Sequence, residues 1–82
     1  MEKRIGFVGI IVSDREHAAP AVNRILSEHA ELILARVGLP CRERRVSVIT
    51  LVVEATTDEL GSLTGKLGLV ADVSVKSALS KA

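Results

Sequence analysis

The chain has 82 residues, of which 48% are hydrophobic and 26% are charged, and its formal net charge is +1. This length allows one domain, at a size where a single hydrophobic core is marginal and self-association often adds stability. Phe7 is the only aromatic residue, which argues against a sheet that stacks unpaired bases, and the small net charge argues against a duplex-binding module.

The first apolar run, Ile5 to Val12, is rich in β-branched residues and predicts a central strand. Its glycines, Gly6 and Gly9, indicate a close approach by another group, and a helix packed over the strand is the simplest such group. The next segment, Ser13-Asp14-Arg15-Glu16, predicts the start of a helix: Ser13 and Glu16 have the spacing of a capping box, and Asp14 is itself a good cap.

This first helix is predicted to extend to about Ala30. Pro20 should either kink it or delay its regular part to about Ala18, because proline lacks the backbone N–H. Helical spacing predicts a buried stripe of Val22, Ile25, Leu26 and His29, with Asn23, Arg24, Ser27 and Glu28 facing out.

A second strand is predicted within Leu32 to Val37, ended by Gly38-Leu39-Pro40, with a long, exposed, basic loop through Arg45. The most apolar run, Val46 to Ala55, then predicts the central strand around which the fold is built. Alternation puts Val48 and Ile49 on opposite faces of this strand, and both faces are apolar, so both should be covered. The sequence pattern leaves open which set points outward.

A second capping box, Thr56 to Glu59, predicts a helix with a buried stripe of Leu60, Leu63 and Leu67. Gly61 and Gly65 make its other surface unusually small, at a cost of roughly 1 kcal/mol each relative to alanine, and would let another group come close. Gly68 should end the helix, and after a turn at Asp72 a last strand is predicted within Val73 to Leu79.

The predicted order, β-α-β-β-α-β, is that of a ferredoxin-like α+β domain spanning residues 1–82. Four antiparallel strands should form a sheet with both helices on one face, the first and third strands in the middle and the second and fourth at the edges. The helix-free face is apolar enough to need a partner, so we expect a homo-oligomer, a dimer or a tetramer, assembled through that face.

The sequence offers little for metal binding or catalysis. The soft metal ligands are His17, His29 and Cys41, and the two histidines are too far apart on the first helix to bind one ion within a monomer. Cys41 belongs to no evident catalytic triad. We therefore expect no metal, no cofactor and no enzymatic activity.

An acylphosphatase-like enzyme of this fold would need an arginine-bearing anion loop after the first strand. Ser13-Asp14-Arg15 is acidic as well as basic, so this enzyme is only an alternative. The backbone N–H groups beside Arg15, and Lys66 after Gly65, are candidate anion or effector contacts, with solvated surface charge as the competing interpretation.

The location of the protein follows from what the sequence lacks. One cysteine cannot form an intrachain disulfide, and neither a cleavable signal nor an apolar run of about 20 residues is present. We expect a cytoplasmic protein that does not cross a membrane.

Several segments together resemble a known family, the regulators of the iron-only hydrogenase system, described as relatives of the CopG-type nickel-responsive regulators. They are Arg36 to Glu43, Gly61 to Gly68 running on to Val73-Ser74-Val75-Lys76, Ser13 to Glu16, and Val22-Asn23. The similarity covers essentially the whole chain. It implies an ACT-like ferredoxin fold that assembles into dimers or tetramers and is associated with anaerobic hydrogen metabolism.

Two departures from the nickel-responsive regulators matter. Their metal-binding histidines and cysteine have no counterpart in Val46 to Ala55 or Val73 to Leu79, so nickel sensing is not expected. No ribbon-helix-helix arm precedes the first strand, so direct DNA binding by a transcriptional regulator is kept only as an alternative.

The resemblance also implies where a small-molecule effector or partner would bind. ACT-like domains commonly hold effectors near the turn after the first strand and at contacts between subunits. In this chain the turn contains Ser13, Asp14 and Arg15, and Gly61, Gly65 and Lys66 lie on the second helix. Arg36, Gly38 and Arg42, around the hairpin loop, would offer an anionic partner a second contact.

Overall fold

The computed structural model describes residues 2–81 and places six main elements in the predicted order. They are strand β1 (Arg4–Val12), helix α1 (Arg15–Glu28), strand β2 (Ile33–Cys41), strand β3 (Val46–Ala55), helix α2 (Thr57–Gly68) and strand β4 (Val73–Leu79). The sheet order is β2-β3-β1-β4, with every neighbouring pair antiparallel. The ferredoxin-like α+β fold and the central positions of β1 and β3 are therefore confirmed. Among the described residues, no helix is long and apolar enough to span a bilayer.

The core lies between the two helices and one face of the sheet. The predicted stripe of α2 is buried, and so are the apolar residues of the α1 stripe, joined by Ala18. His29 is only half-buried at the end of α1, where its ring Nδ1 donates a hydrogen bond to the Ile25 carbonyl oxygen over 2.9 Å. In β3 the set that contains Ile49 points into the core and the set that contains Val48 points outward. The structure thus resolves the alternation that the sequence left open.

The two predicted capping boxes have different outcomes. At α2, Thr56 Oγ1 accepts from the Glu59 backbone N–H over 3.1 Å and Glu59 Oε1 accepts from the Thr56 N–H over 2.8 Å, which confirms that box. At α1 the predicted Ser13–Glu16 box is wrong, because the N-cap position is occupied by Asp14, the other predicted cap, in a left-handed conformation with φ of 43°. Its carboxylate contacts the His17 ring and not a backbone amide. The helix starts at Arg15 and contains Pro20, so a delayed start near Ala18 is also wrong.

Strand β2 is longer than the sequence indicates. It continues through Gly38 and Pro40 to Cys41, with Gly38 opposite Ile49. The prediction of a break there is wrong for two reasons. Gly38 is extended, since no glycine of the described chain has a positive φ. Pro40 is on an edge strand, where a backbone nitrogen without a hydrogen is tolerated. The predicted long loop is reduced to a 3-10 turn, Arg42–Arg44, and one left-handed residue, Arg45.

Gly6 and Gly9 in β1 are in different surroundings. A Cβ at Gly6 would clash with the carbonyl oxygen of Ala78 and with Leu79. The group that comes close is therefore the backbone of edge strand β4, and the prediction of a helix packed there is wrong. A Cβ at Gly9 would meet only the Lys76 carbonyl oxygen, at an ordinary contact distance of 3.8 Å.

Candidate functional site

The face of the sheet opposite the helices is apolar and uncovered in this chain. We call it the open face and define it by its large apolar side chains, each between 37% and 67% exposed. They are Ile5, Phe7 and Ile11 from β1, Val37 and Leu39 from β2, and Val48 and Val52 from β3. Because the core on the other side of the sheet is already filled, these side chains are not part of the monomer's own packing.

Strand register makes the open face continuous. Phe7 lies opposite Val52, and Ile11 lies opposite Val48, which in turn lies opposite Leu39. Charge is confined to the edges of this face in the described chain, with Glu54 opposite Ile5 at one end of the sheet and Lys76 on the edge strand β4. The middle of the face is therefore a suitable surface for another apolar surface.

A groove follows α1 and the second half of β2; it begins on the helix side of the sheet and extends to the turn between β2 and β3. It consists of two adjoining hollows of about 270 Å³ and 850 Å³. We call the smaller one the inner hollow; its lining includes Val12, Pro40 and Ser47. We call the larger one the outer hollow; its lining includes the sequence neighbours of these three residues, Ser13, Cys41 and Val46. The two hollows thus meet at the ends of three strands.

The inner hollow combines an apolar base with polar groups at its rim. Val22 and Ile49 are buried beneath it, and the Arg36 Nη2 donates a hydrogen bond to the Asn23 Oδ1 over 2.9 Å. Gly38 also lines it, and a Cβ placed there would meet no atom of the described residues within 4 Å. The missing side chain at this position therefore leaves the hollow open.

The outer hollow has walls of opposite charge. Asp14, Glu16 and His17 line it on the helix side, and Arg42, Arg44 and Arg45 line it on the loop side. The Asp14 Oδ2 lies 2.8 Å from the His17 Nδ1, and this hydrogen bond raises the pKa of His17 above its ordinary value of 6.5. Among the side chains that the structure describes, which do not include that of Arg15, the ion pairs are His17–Asp14 and Lys3–Glu59. Within that set the guanidinium groups of Arg42, Arg44 and Arg45 have no carboxylate partner.

The structure brings together some of the predicted site residues and separates others. Ser13, Asp14 and Arg42 line the outer hollow, and Arg36 and Gly38 line the inner one. The side chain of Arg15 lies outside the described part of the chain. Gly61 and Gly65 are exposed on α2, with nothing within 4 Å of a Cβ placed at either, and Lys66 lines a separate hollow with Arg24 and Glu28.

Sequence reasoning did not place most residues of the groove at a site, among them the polar residues Asn23, His17, Arg44 and Arg45. The spacing of Asp14 and His17, three positions apart at a helix start, was a usable sign that their side chains could meet. The position of the two arginines depends on the short turn between β2 and β3, which the sequence did not predict. In the described part of the chain no group of three or more His, Cys, Asp or Glu residues gathers as a metal site.

Comparison with known proteins agrees with this fold. A family model described as "TM1266-like: Iron-only hydrogenase system regulator, putative" matches residues 4–77. The chain is 44% identical to the uncharacterized protein TM1266 from Thermotoga maritima, whose solved structure has a TM-score of 0.93 and aligns over 98% of this chain and 100% of that one. No curated protein sequence matches the chain.

The ACT domain of GTP pyrophosphokinase from Chlorobium tepidum is a more distant structural neighbour. It is 19% identical, with a TM-score of 0.77 over 93% of this chain and 99% of that one, so it shows the ACT-like fold alone. The family match spans nearly the whole chain, and the Thermotoga protein is similar over the same length. On these grounds the chain belongs to the TM1266-like family of iron-only hydrogenase system regulators.

Proposed function

We propose that this protein is a non-enzymatic regulatory module of the iron-only hydrogenase system that works as a homo-oligomer assembled through the open face. We propose further that it responds to an anionic small-molecule effector bound in the groove between α1 and β2. The observation that carries the proposal is the continuous apolar surface of the open face, which the chain's own helices do not cover.

The dimensions of the open face suit a second copy of the chain. Four strands about 4.8 Å apart, with about seven residues each at a rise of roughly 3.3 Å, give a projected area of about 400 Å². The accessible area is larger because the side chains stand above the sheet, and the projected area is already about half of the roughly 800 Å² per partner of a standard interface. Two copies would bury apolar rows against each other while Glu54 and Lys76 stay at the rim, which avoids burying a charge.

The charges of the outer hollow support an anionic effector. Arg42, Arg44 and Arg45 lie together on its loop side, and guanidinium groups bind carboxylate and phosphate oxygens with good geometry. Cys41 and Val46, which also line this hollow, form the pair that lies two positions along the ladder from the Leu39–Val48 pair of the open face. A ligand in the hollow would therefore lie at the edge of the proposed interface.

Sedimentation velocity tests the assembly. We expect the wild-type protein to sediment as a dimer or tetramer, and Val48→Lys to sediment as a folded monomer. Ser62→Lys is the matched control, because it adds the same charge at an exposed position of α2, away from the open face. A wild-type monomer at every concentration, or an unchanged soluble oligomer for Val48→Lys, would contradict the proposal.

Thermal unfolding tests the effector. Inorganic phosphate, nucleotides and amino acids are compared on the wild type, Arg42→Ala, Gly38→Val and Gly65→Val, since a bound ligand raises the unfolding midpoint by mass action. We expect one class to stabilise the wild type and Gly65→Val, and its effect to be lost in Arg42→Ala or Gly38→Val. Loss in Gly65→Val alone would place the effector on α2, and no response to any class would make the groove a protein-binding surface.

Two further assays address the alternative functions. Turnover of a generic acyl phosphate that Arg15→Ala abolishes would show an enzyme. A sequence-specific electrophoretic shift of the DNA upstream of the gene, weakened by salt, would show direct operator binding. Either result would replace the proposal.

A further inference from the structure

The packing of the described residues does not explain why residue 9 is a glycine. Gly6 must be glycine because a Cβ would clash with the backbone of β4, whereas a Cβ at Gly9 would make only an ordinary contact. Gly9 also has no positive φ, so its backbone accepts any L-residue. A glycine inside a strand nevertheless costs stability relative to alanine. What glycine provides at this position, in return for the lost stability, is an empty space above the backbone that any side chain would fill.

That space is a dent near the middle of the open face. Phe7 and Ile11 stand on either side of Gly9 along β1, each two residues away on the same face of the strand. Across the sheet, Gly9 lies opposite Thr50 on β3 and Lys76 on β4. The dent is thus surrounded by four side chains and has a bare backbone at its base.

Phe7 has the shape that fits such a dent. It is the only aromatic residue of the chain, and half of its surface (51%) is exposed on the open face. Two residues of β-strand separate it from Gly9, a distance of roughly 6.6 Å. The open face therefore carries a large projection and a hole side by side on one strand.

We infer that two copies of the chain pack their open faces together so that Phe7 of each inserts over Gly9 of the partner subunit. Val8 is midway between Phe7 and Gly9 along β1. A two-fold axis in the plane of the interface that crosses β1 beside Val8 would therefore place Phe7 of each copy over Gly9 of the other. The aliphatic stem of Lys76 would flank the ring, with its ammonium group at the rim. The inference rests on the proposed assembly through the open face and specifies its register.

Exchanging the two side chains tests the register. We expect Phe7→Ala and Gly9→Phe each to weaken self-association about a hundredfold or more, since two rings per dimer lose their burial or their space. The double variant Phe7→Ala/Gly9→Phe again has one ring and one empty space on β1, with their positions exchanged. It should recover association to near the wild-type level. Ile11→Ala/Gly9→Phe is the matched control, which removes an apolar side chain from the same strand and should not recover. Dissociation constants come from sedimentation equilibrium, and circular dichroism checks folding.

The outcomes separate this inference from the proposal beneath it. If the wild type is a monomer, both are overturned. If the wild type is an oligomer that Val48→Lys dissociates, but the double variant stays as weak as its parents, only the Phe7–Gly9 register is overturned. If Gly9→Phe does not fold, Gly9→Ala decides: weaker association supports the register, and unchanged association overturns it.

Discussion

The contrast between lysine at position 48 and lysine at position 49 is the sharpest test of which sheet face is the core. Ile49 is 8% exposed and belongs to the buried cluster, whereas Val48 is 37% exposed on the open face. Ile49→Lys loses about 1.5 to 3 kcal/mol of apolar burial and also buries an ammonium group, whose effective penalty is several kcal/mol. The sum is comparable to the roughly 4 to 12 kcal/mol expected for the whole domain. We therefore expect Ile49→Lys to be unfolded.

Val48→Lys should leave the fold of the monomer intact. Its stem can lie along the sheet while the ammonium group stays in water, so the free energy of unfolding of the monomer should change by about 0.5 kcal/mol or less. Val48→Ala serves as the control for the lost side chain without an added charge. Urea unfolding followed by circular dichroism, at concentrations where the proteins are monomeric, gives the free energies.

The result that would refute this reasoning is similar stability for the two lysine variants, or a less stable Val48→Lys. Either would mean that the face containing Val48 is packed within the monomer. Because the measurement is made on monomers, loss of assembly cannot be mistaken for loss of folding.

Three further predictions concern single residues. Gly6→Ala should destabilise the monomer by about 1 to 3 kcal/mol in urea unfolding because its methyl group meets the β4 backbone; a neutral change would contradict the close approach. Thr56→Ala removes one half of the α2 capping box and should cost about 1 kcal/mol by the same assay, and a loss below the error of that assay would show that Glu59 suffices. The raised pKa of His17 means that its pairing with Asp14 stabilises the fold fully below the ordinary pKa of 6.5 and loses this effect as pH rises through the higher folded value. An NMR titration in which Asp14→Asn leaves the His17 pKa unchanged would exclude Asp14 as the cause.

The sequence predicted β3 and α2 well because their local and tertiary preferences agree. The run from Val46 to Ala55 is rich in β-branched residues and occupies the middle of the sheet. The leucines of α2 keep helical spacing, and Thr56 and Glu59 satisfy each other's backbone as the motif predicts. In both elements, neighbouring residues determine the structure and packing only adds to it.

The errors occurred where tertiary position overrides local preference. Gly38-Leu39-Pro40 predicts a chain break, yet at the edge of a sheet the glycine can be extended and the proline needs no donor. Asp14 was predicted to cap α1, but its carboxylate pairs with His17 instead. The groove could not be predicted because its walls come from parts of the chain that are far apart in sequence: the start of α1, residues 36–41 of β2 and the turn that follows.

The proposed regulation has a structural route in β2, because this strand serves both candidate surfaces. Its register places Val37 and Leu39 on the open face, while Arg36, Gly38 and Pro40 line the groove. An edge strand is hydrogen-bonded on one side only, and β2 also has a register irregularity near its start. A ligand that shifts β2 from the groove side must therefore move apolar side chains of the proposed interface. Linkage then requires the reverse as well: assembly through the open face must change the affinity of the groove for its effector by the same factor.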